Sequence, residues 1–166
     1  YNLWLSLIKY VAVVAIAVGV GWGIKKIQGN TYLSNSKEKE VVYNEIHVQK
    51  GGRANTLVLS DGTKVILNAA TTFRYPTSFG EKNRMVYLEG EAYFEVAKDS
   101  AREFWVHAGA MDVKVLGTSF NVKAYERLET VATTLVEGSV EVACAGKSFQ
   151  IVPGEQFVYD KNNRVM

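Results

Sequence analysis

Residues 86–96 read VYLEGEAYFEV, and their apolar residues fall at every second position. Val86, Leu88, Ala92, Phe94 and Val96 share one parity, while Glu89, Glu91 and Glu95 take the other. A period of two is the period of a β-strand, whose successive side chains point to opposite faces. Such a segment buries one face and wets the other. Glu89–Gly90 sits at its middle, and glycine supplies the backbone freedom that reversing a strand requires. The expectation is a hairpin-like unit, two alternating runs around a glycine turn.

The same unit recurs on both sides. LVLSDGTKVIL (57–67) precedes it; VKVLGTSFNV (113–122), TLVEGSVEV (134–142) and QIVPGEQFVY (150–159) follow. In the first of these, Leu57, Leu59, Val65 and Leu67 again share one parity around the turn. No long stretch after Val41 keeps helical spacing, and the two prolines stand at segment ends. These features predict an all-β domain over 41–166, an irregular antiparallel β-sandwich of about a dozen short strands. A stacked, solenoid-like β-roll is the alternative, although the uneven spacing of the units argues against a strict repeat. Phe94, Phe104, Trp105, Phe120 and Phe157 are the large candidate contributors to its core. Trp105 fits either side, because Phe104 and Val106 have the opposite parity.

Upstream the pattern changes completely. Leu3–Ile24 (LWLSLIKYVAVVAIAVGVGWGI) is interrupted by one charge, Lys9. A helix of that length spans roughly 33 Å, slightly more than the hydrocarbon core of a bilayer. Trp4, Tyr10 and Trp22 fall where interfacial aromatics are expected, and Lys25–Lys26 close the far side. The expected organisation is a transmembrane helix over 1–27, a polar juxtamembrane linker over 28–40 (QGNTYLSNSKEKE within it) and the β domain over 41–166. A signal peptide would have a basic start and a shorter apolar region. A core helix apolar all round is a poor fit to a domain of this size. GVGWG matches only part of a dinucleotide fingerprint, with Ile24 where a third glycine belongs and no strand before it. Ala15, Gly19 and Gly23 recur every four residues and could form a helix–helix face, although glycine is common in membrane helices anyway. The lysines on either side of the span do not settle its orientation and point weakly against export of the domain behind it.

All 17 acids follow Asn30, against 16 of the 19 Lys and Arg. The part behind the span is therefore near neutral with its charges interspersed, which excludes the basic stripe that nucleic acid requires. Cys144 is the one cysteine, so neither an internal disulfide nor a thiolate metal cage can form. It reads as a small apolar filler. His47 and His107 stand far apart without companions at ligand spacing. Ser119 lies in GTSFN, not in a nucleophile elbow. Glu89, Glu91 and Glu95 read as a solvated row rather than the opposed carboxylates of sugar hydrolysis. Asp61 and Asn68 suit turn and strand-end roles, with no calcium loop around them. The reading is of a non-enzyme with no cofactor and no metal.

In order along the chain, LVLSDGTKVILNAATTFRYP, RMVYLEGEAYFEVAKD, FWVHAGAMDVKVLGTSFNVKAY, LVEGSVEV and IVPGEQ resemble the FecR family, in a form like its Bacteroidetes versions. The resemblance covers about Ile46 to Asp160. It rests on DGT-x-V-x-LN at 61–68, GEAYFEV at 90–96 and LGTSFNV at 116–122. It implies a bacterial transmembrane anti-sigma factor of cell-surface signalling, single-pass in the inner membrane with its C-terminal domain in the periplasm. The implied partners are the signalling domain of a TonB-dependent outer-membrane receptor, membrane proteases, the lipid bilayer and an ECF sigma factor. The sigma factor would bind through a cytoplasmic segment that this chain lacks; the small receptor-docking domain usual after PGEQ is missing too. Direct nucleic-acid binding is not implied. The motif positions carried over are framework ones. Asp61, Gly62, Thr63, Gly90, Gly117, Pro153 and Gly154 are expected to turn strands. Leu59, Leu67, Phe94, Val96, Phe120 and Val122 are expected to fill the interior. Asn68, Glu91, Thr118, Asn121 and Gly138 belong to the same motifs. Two further classes compete: a membrane-anchored carbohydrate- or envelope-binding module using Tyr43, Tyr75, Tyr87, Tyr93 and Trp105 as an aromatic platform, and a hydrolase.

Overall fold

The computed structural model describes residues 41–162. The expected span and linker, with Ala15, Gly19 and Gly23, lie outside the described residues. Among the described residues no helix is long and apolar enough to cross a membrane. They form twelve strands, as the all-β expectation requires. The first four are β1 (Tyr43–Val48), β2 (Asn55–Val58), β3 (Lys64–Leu67) and β4 (Thr71–Pro76). Next come β5 (Asn83–Glu95), β6 (Glu103–Ala108), β7 (Met111–Val115) and β8 (Ser119–Ala124). The last are β9 (Thr130–Glu137), β10 (Val140–Cys144), β11 (Lys147–Ile151) and β12 (Gln156–Asp160).

Hydrogen bonding joins all twelve into one sheet folded over on itself. One layer runs β1-β4-β5-β6-β7-β10-β11, the other β2-β3-β5-β8-β9-β12. Only β5 belongs to both. Its first half pairs with β4 and β6, its second half with β3 and β8. All pairings are antiparallel except β5 with β6. The chain therefore climbs in rungs, each crossing from one layer to the other, and the molecule has features of both the sandwich and the roll.

Gly90 is what lets β5 serve both layers, and here the hairpin expectation fails. The strand continues through Glu89–Gly90 for 13 residues without a hairpin, bending there so that Arg84 near its start reaches the Ala97 carbonyl just past its end. A two-residue hairpin there would pair Leu88 with Glu91 and put Leu88 and Ala92 on opposite faces. A continuous strand keeps Val86, Leu88, Ala92 and Phe94 on one face, and all four are buried. Gly90 has φ +119°, and a Cβ on it would lie 2.6 Å from the Cα of Thr71. Only glycine combines that backbone conformation with so close an approach of β4.

Of the five glycine-centred units, only 57–67 is a hairpin, with Leu57 facing Val65 and Asn55 facing Leu67. At 113–122, 134–142 and 150–159 the turn instead carries the chain between layers. Thus β7 pairs with β6 and β10 while β8 pairs with β5 and β9. The hairpins are at the other end, joining β6 to β7, β8 to β9 and β10 to β11.

The core lies between the layers. Phe94 stacks on Phe120 at 5.1 Å and packs tilted against Phe73 (6.1 Å) and Phe104 (6.3 Å), which come from the opposite layer. The hydroxyl of Thr133 points across at the Met111 sulfur, 3.8 Å away. Phe104 and Val106 are buried, so their neighbour Trp105 faces outward, half-exposed, and is not a core residue. Phe157 is only half-buried at the end of the core.

Candidate functional site

The polar residues of the motifs converge on three places. The first is beneath the β2–β3 turn, where Asp61 meets Arg84 at the start of β5. Arg84 is completely buried and the Asp61 carboxylate nearly so. Arg84 Nη1 donates to Asp61 Oδ2 at 2.8 Å and to the Ala97 carbonyl at 2.9 Å; Nε and Nη2 both donate to the Arg102 carbonyl. Asp61 also accepts from the amide and the hydroxyl of Thr63. That hydroxyl accepts in turn from the Ala97 amide. The guanidinium lies over the Phe104 ring, 5.4 Å from its centre. A buried charge pair is tolerable only when its remaining donors and acceptors are satisfied, as they are here. Asp61 was expected as a turn residue, and Arg84 not at all. The available signal was parity, since Arg84 falls on the core-facing set with Val86 and Leu88.

The second place is Glu91, just past the point where β5 changes layers. Its two carboxylate oxygens accept from Asn68 Nδ2 and Asn121 Nδ2, each at 3.1 Å. Asn68, Glu91 and Asn121 come from three separate motifs, brought together because β3 and β8 flank the second half of β5. Behind them the Thr71 hydroxyl accepts from the Glu91 amide and donates to its carbonyl. Glu91 is thus an anchor between three strands. Glu89 lies on the opposite layer, so the three glutamates do not form one row.

The third place is the ladder of layer crossings. The Val96 amide donates to the Thr118 carbonyl, the Asp99 amide to the Leu116 carbonyl, and the Thr118 hydroxyl to the Ser139 carbonyl. A Cβ on Gly117 would stand 2.7 Å from the Lys98 Cα, so the first two crossings touch backbone to backbone. A shallow groove of about 560 Å³ runs over these crossings, lined among others by Lys98, Glu103, Lys114, Leu116 and Glu141. Lys114 bridges Glu141 and Glu103. Its hydrogen bond to Glu141 raises the lysine pKa and lowers that of the carboxyl. The groove's charges thus largely neutralise one another. Gly138 lies beside Thr118, while Pro153 and Gly154 are exposed in the last crossing.

The five aromatics considered as a platform do not share a face. Tyr43, Tyr87 and Trp105 lie on the outside of the β1–β11 layer, Tyr93 on the other layer, and Tyr75 stacks on Phe73. The Arg74 guanidinium sits 4.9 Å from the Tyr43 ring centre and 4.5 Å from that of Tyr87, and Lys114 sits 5.5 Å from Trp105. Cations thus already occupy ring faces that a sugar would stack on. His47 bonds Glu45 and Thr72, and His107 bonds Asp112 at 2.6 Å. Among the described residues no three His, Cys, Asp or Glu side chains gather as metal ligands. Cys144 is buried in β10, which pushes its thiol pKa up.

Two layers joined through β5 and pinned by the Asp61, Glu91 and Thr118 contacts define an all-β module whose motif residues hold its framework together. A family model described as FecR protein matches residues 44–141, and the chain belongs to the FecR family. Two crystal structures of a candidate anti-sigma factor from Parabacteroides distasonis ATCC 8503 are similar to it. The 2.50 Å structure is 42% identical with a TM-score of 0.72, covering 75% of this chain and 58% of that one. The 1.65 Å structure is 43% identical with a TM-score of 0.71, covering 74% of this chain and 57% of that one. This chain therefore spans a little over half the length of those relatives. A comparison with functionally curated proteins gives no match.

Proposed function

We propose that this chain is the membrane and periplasmic portion of a FecR-type anti-sigma factor. The observation that carries the proposal is the family match over 44–141, joined to 42% identity with a structure described as a candidate anti-sigma factor. In this reading residues 1–27 cross the inner membrane once, 28–40 form the juxtamembrane linker, and 41–166 lie in the periplasm. The signalling domain of a TonB-dependent outer-membrane receptor delivers the message. Membrane proteases then cut, and an ECF sigma factor is freed from a cytoplasmic segment of the longer protein.

The role of the β domain is steric, not catalytic. Asp61, Asn68, Glu91, Thr118 and Asn121 all have intramolecular partners, which favours a framework role over a reactive one. A rigid domain on a short polar linker can shield residues 28–40 from a first protease. Partner binding or force would then shift the population toward an accessible state. The test is to replace Gln28–Glu40 with a protease-resistant sequence of equal length in the full-length membrane protein. Loss of induced sigma-dependent transcription is expected; unchanged signalling sinks the shielding mechanism. Pulldown of the same protein should recover a sigma factor and a receptor signalling domain, and recovery of glycan alone would overturn the assignment.

A further inference from the structure

The strands of this domain end in two different ways. Hairpins close one end, joining β6 to β7, β8 to β9 and β10 to β11. At the other end the chain crosses between layers after β5, β7, β9 and β11. Strand β1 starts at the crossing end, because Tyr43 faces Pro76 and the register of β4, β5 and β6 carries β4 toward the start of β6. The polar stretch 28–40 therefore joins the domain at this end. Of the eight exposed large hydrophobics among the described residues, six sit here: Val41, Val42, Val58, Leu116, Val136 and Val152, each 48–64% exposed. The hairpin end carries none of them.

Turns and strand ends are ordinarily polar, and apolar side chains gathered outside a core mark an interaction surface. Leu116, Val136 and Val152 belong to three consecutive crossings, and Val58 extends the set to β2. From β2 to β12 is five strand spacings, roughly 24 Å. The residue types choose the partner. Protein–protein anchors are enriched in Trp, Tyr and Arg, whereas Val and Leu are under-represented there. All six side chains are aliphatic, which suits a hydrocarbon surface that asks for neither a fitted shape nor hydrogen bonds. Both charge signs are interspersed at this end, with Lys64 paired to Glu95 and Arg102 to Asp99, so no block of one sign selects a charged macromolecule. The 13 residues of 28–40 reach at most about 45 Å, so a bilayer crossed by residues 1–27 is the surface this end meets first.

We infer that the crossing end of the β domain seats on the lipid surface, with Val58, Leu116, Val136 and Val152 in contact with it. The inference rests on the reading that residues 1–27 span the membrane. It gives the shielding mechanism its two states, a seated one that protects 28–40 and a lifted one that opens them to a protease. The experiment uses the full chain in vesicles of phosphatidylethanolamine and phosphatidylglycerol, doped with a lipid carrying a nitroxide quencher high on its acyl chain. A fluorophore is attached at Val136→Cys or, at the exposed hairpin end, at Lys147→Cys. The parent chain, whose Cys144 is buried, sets the background. Quenching should be several-fold stronger at Val136→Cys than at Lys147→Cys. Val58→Ser, Leu116→Ser and Val152→Ser together should lower it to the control level, with strand content by circular dichroism unchanged because all three side chains are exposed. Equal quenching at the two positions, or quenching untouched by the triple substitution, overturns the inference. So does a Val136→Cys label that is dry yet unquenched by lipid, which assigns this end to a protein partner. Flotation separates the two levels of the argument. A chain that fails to float with the vesicles removes the span and the inference together; one that floats with both labels unquenched keeps the span and overturns the seat alone.

Discussion

Arg84 shows how much one side chain carries in this domain. It ties the β2–β3 turn, the start of β5 and the β5–β6 crossing through Asp61, Ala97 and Arg102. Arg84→Met leaves the Asp61 carboxylate buried without its counter-ion. It should cost about 3–5 kcal/mol, measured as a lower urea midpoint by far-ultraviolet circular dichroism. Gly90→Ala adds a methyl into Thr71 at a φ that L-residues avoid. Strain and overpacking together should cost about 2–5 kcal/mol on the same assay. The Lys114–Glu141 pair supplies a smaller, pH-dependent contribution. The hydrogen bond from Lys114 holds the Glu141 carboxyl below its usual 4.5. A carboxyl depressed in the folded state stabilises above its unfolded pKa, and the benefit is lost as pH falls through the folded value. The stability gap between the parent and Glu141→Gln should thus be full at neutral pH, shrink below about 4.5 and vanish further down. At this partly exposed site it stays under about 1 kcal/mol.

At the scale of elements, β5 is the seam of the molecule, because its two halves belong to different layers. Phe94 lies in the half that pairs with β3 and β8, yet its ring meets Phe73 and Phe104 from the other layer. Phe94→Ala should therefore loosen both layers together. We expect a loss of about 3–5 kcal/mol with a single unfolding transition. Two separated transitions would show that the layers unfold independently. The burial of β5 was legible from period two. Its continuation through Gly90 as one bent strand was not, since alternation continues at the same parity through a strand and around an odd-length loop. The choice between them was made by Thr71, 19 residues before Gly90, which packs where a Cβ would be. The remaining glycine turns were misjudged for a related reason. A turn signal says that the chain changes direction, not whether the next strand pairs with the last one or crosses to the facing layer.

For the whole molecule, the proposed mechanism rests on the β domain being rigid and the segments before it being where cleavage happens. If glycine eases unwinding of the expected membrane helix at an intramembrane protease, Gly19→Leu with Gly23→Leu should slow release of the cytoplasmic piece. The readout is the rate of fragment appearance on immunoblots after induction, with receptor binding unaffected. An unchanged rate would remove the glycines from the mechanism. The polar motif residues matter at this scale too. Asn68, Glu91 and Asn121 lie 23 and 30 positions apart along the chain, and only the β3–β5–β8 order makes them one cluster.

Local chemistry alone determined the class of this protein. Alternating parity, glycine turns and the absence of helical spacing required strands, and the motif strings pointed to the FecR family. Which side Trp105 faces, which glycines reverse a strand and which pass it between layers, and the pairing of Asp61 with Arg84 were decided by tertiary structure. The physical reason is the range of the interactions. Period and turn propensity act over a few residues, whereas a buried charge or a close backbone approach is settled by a partner brought in from another strand.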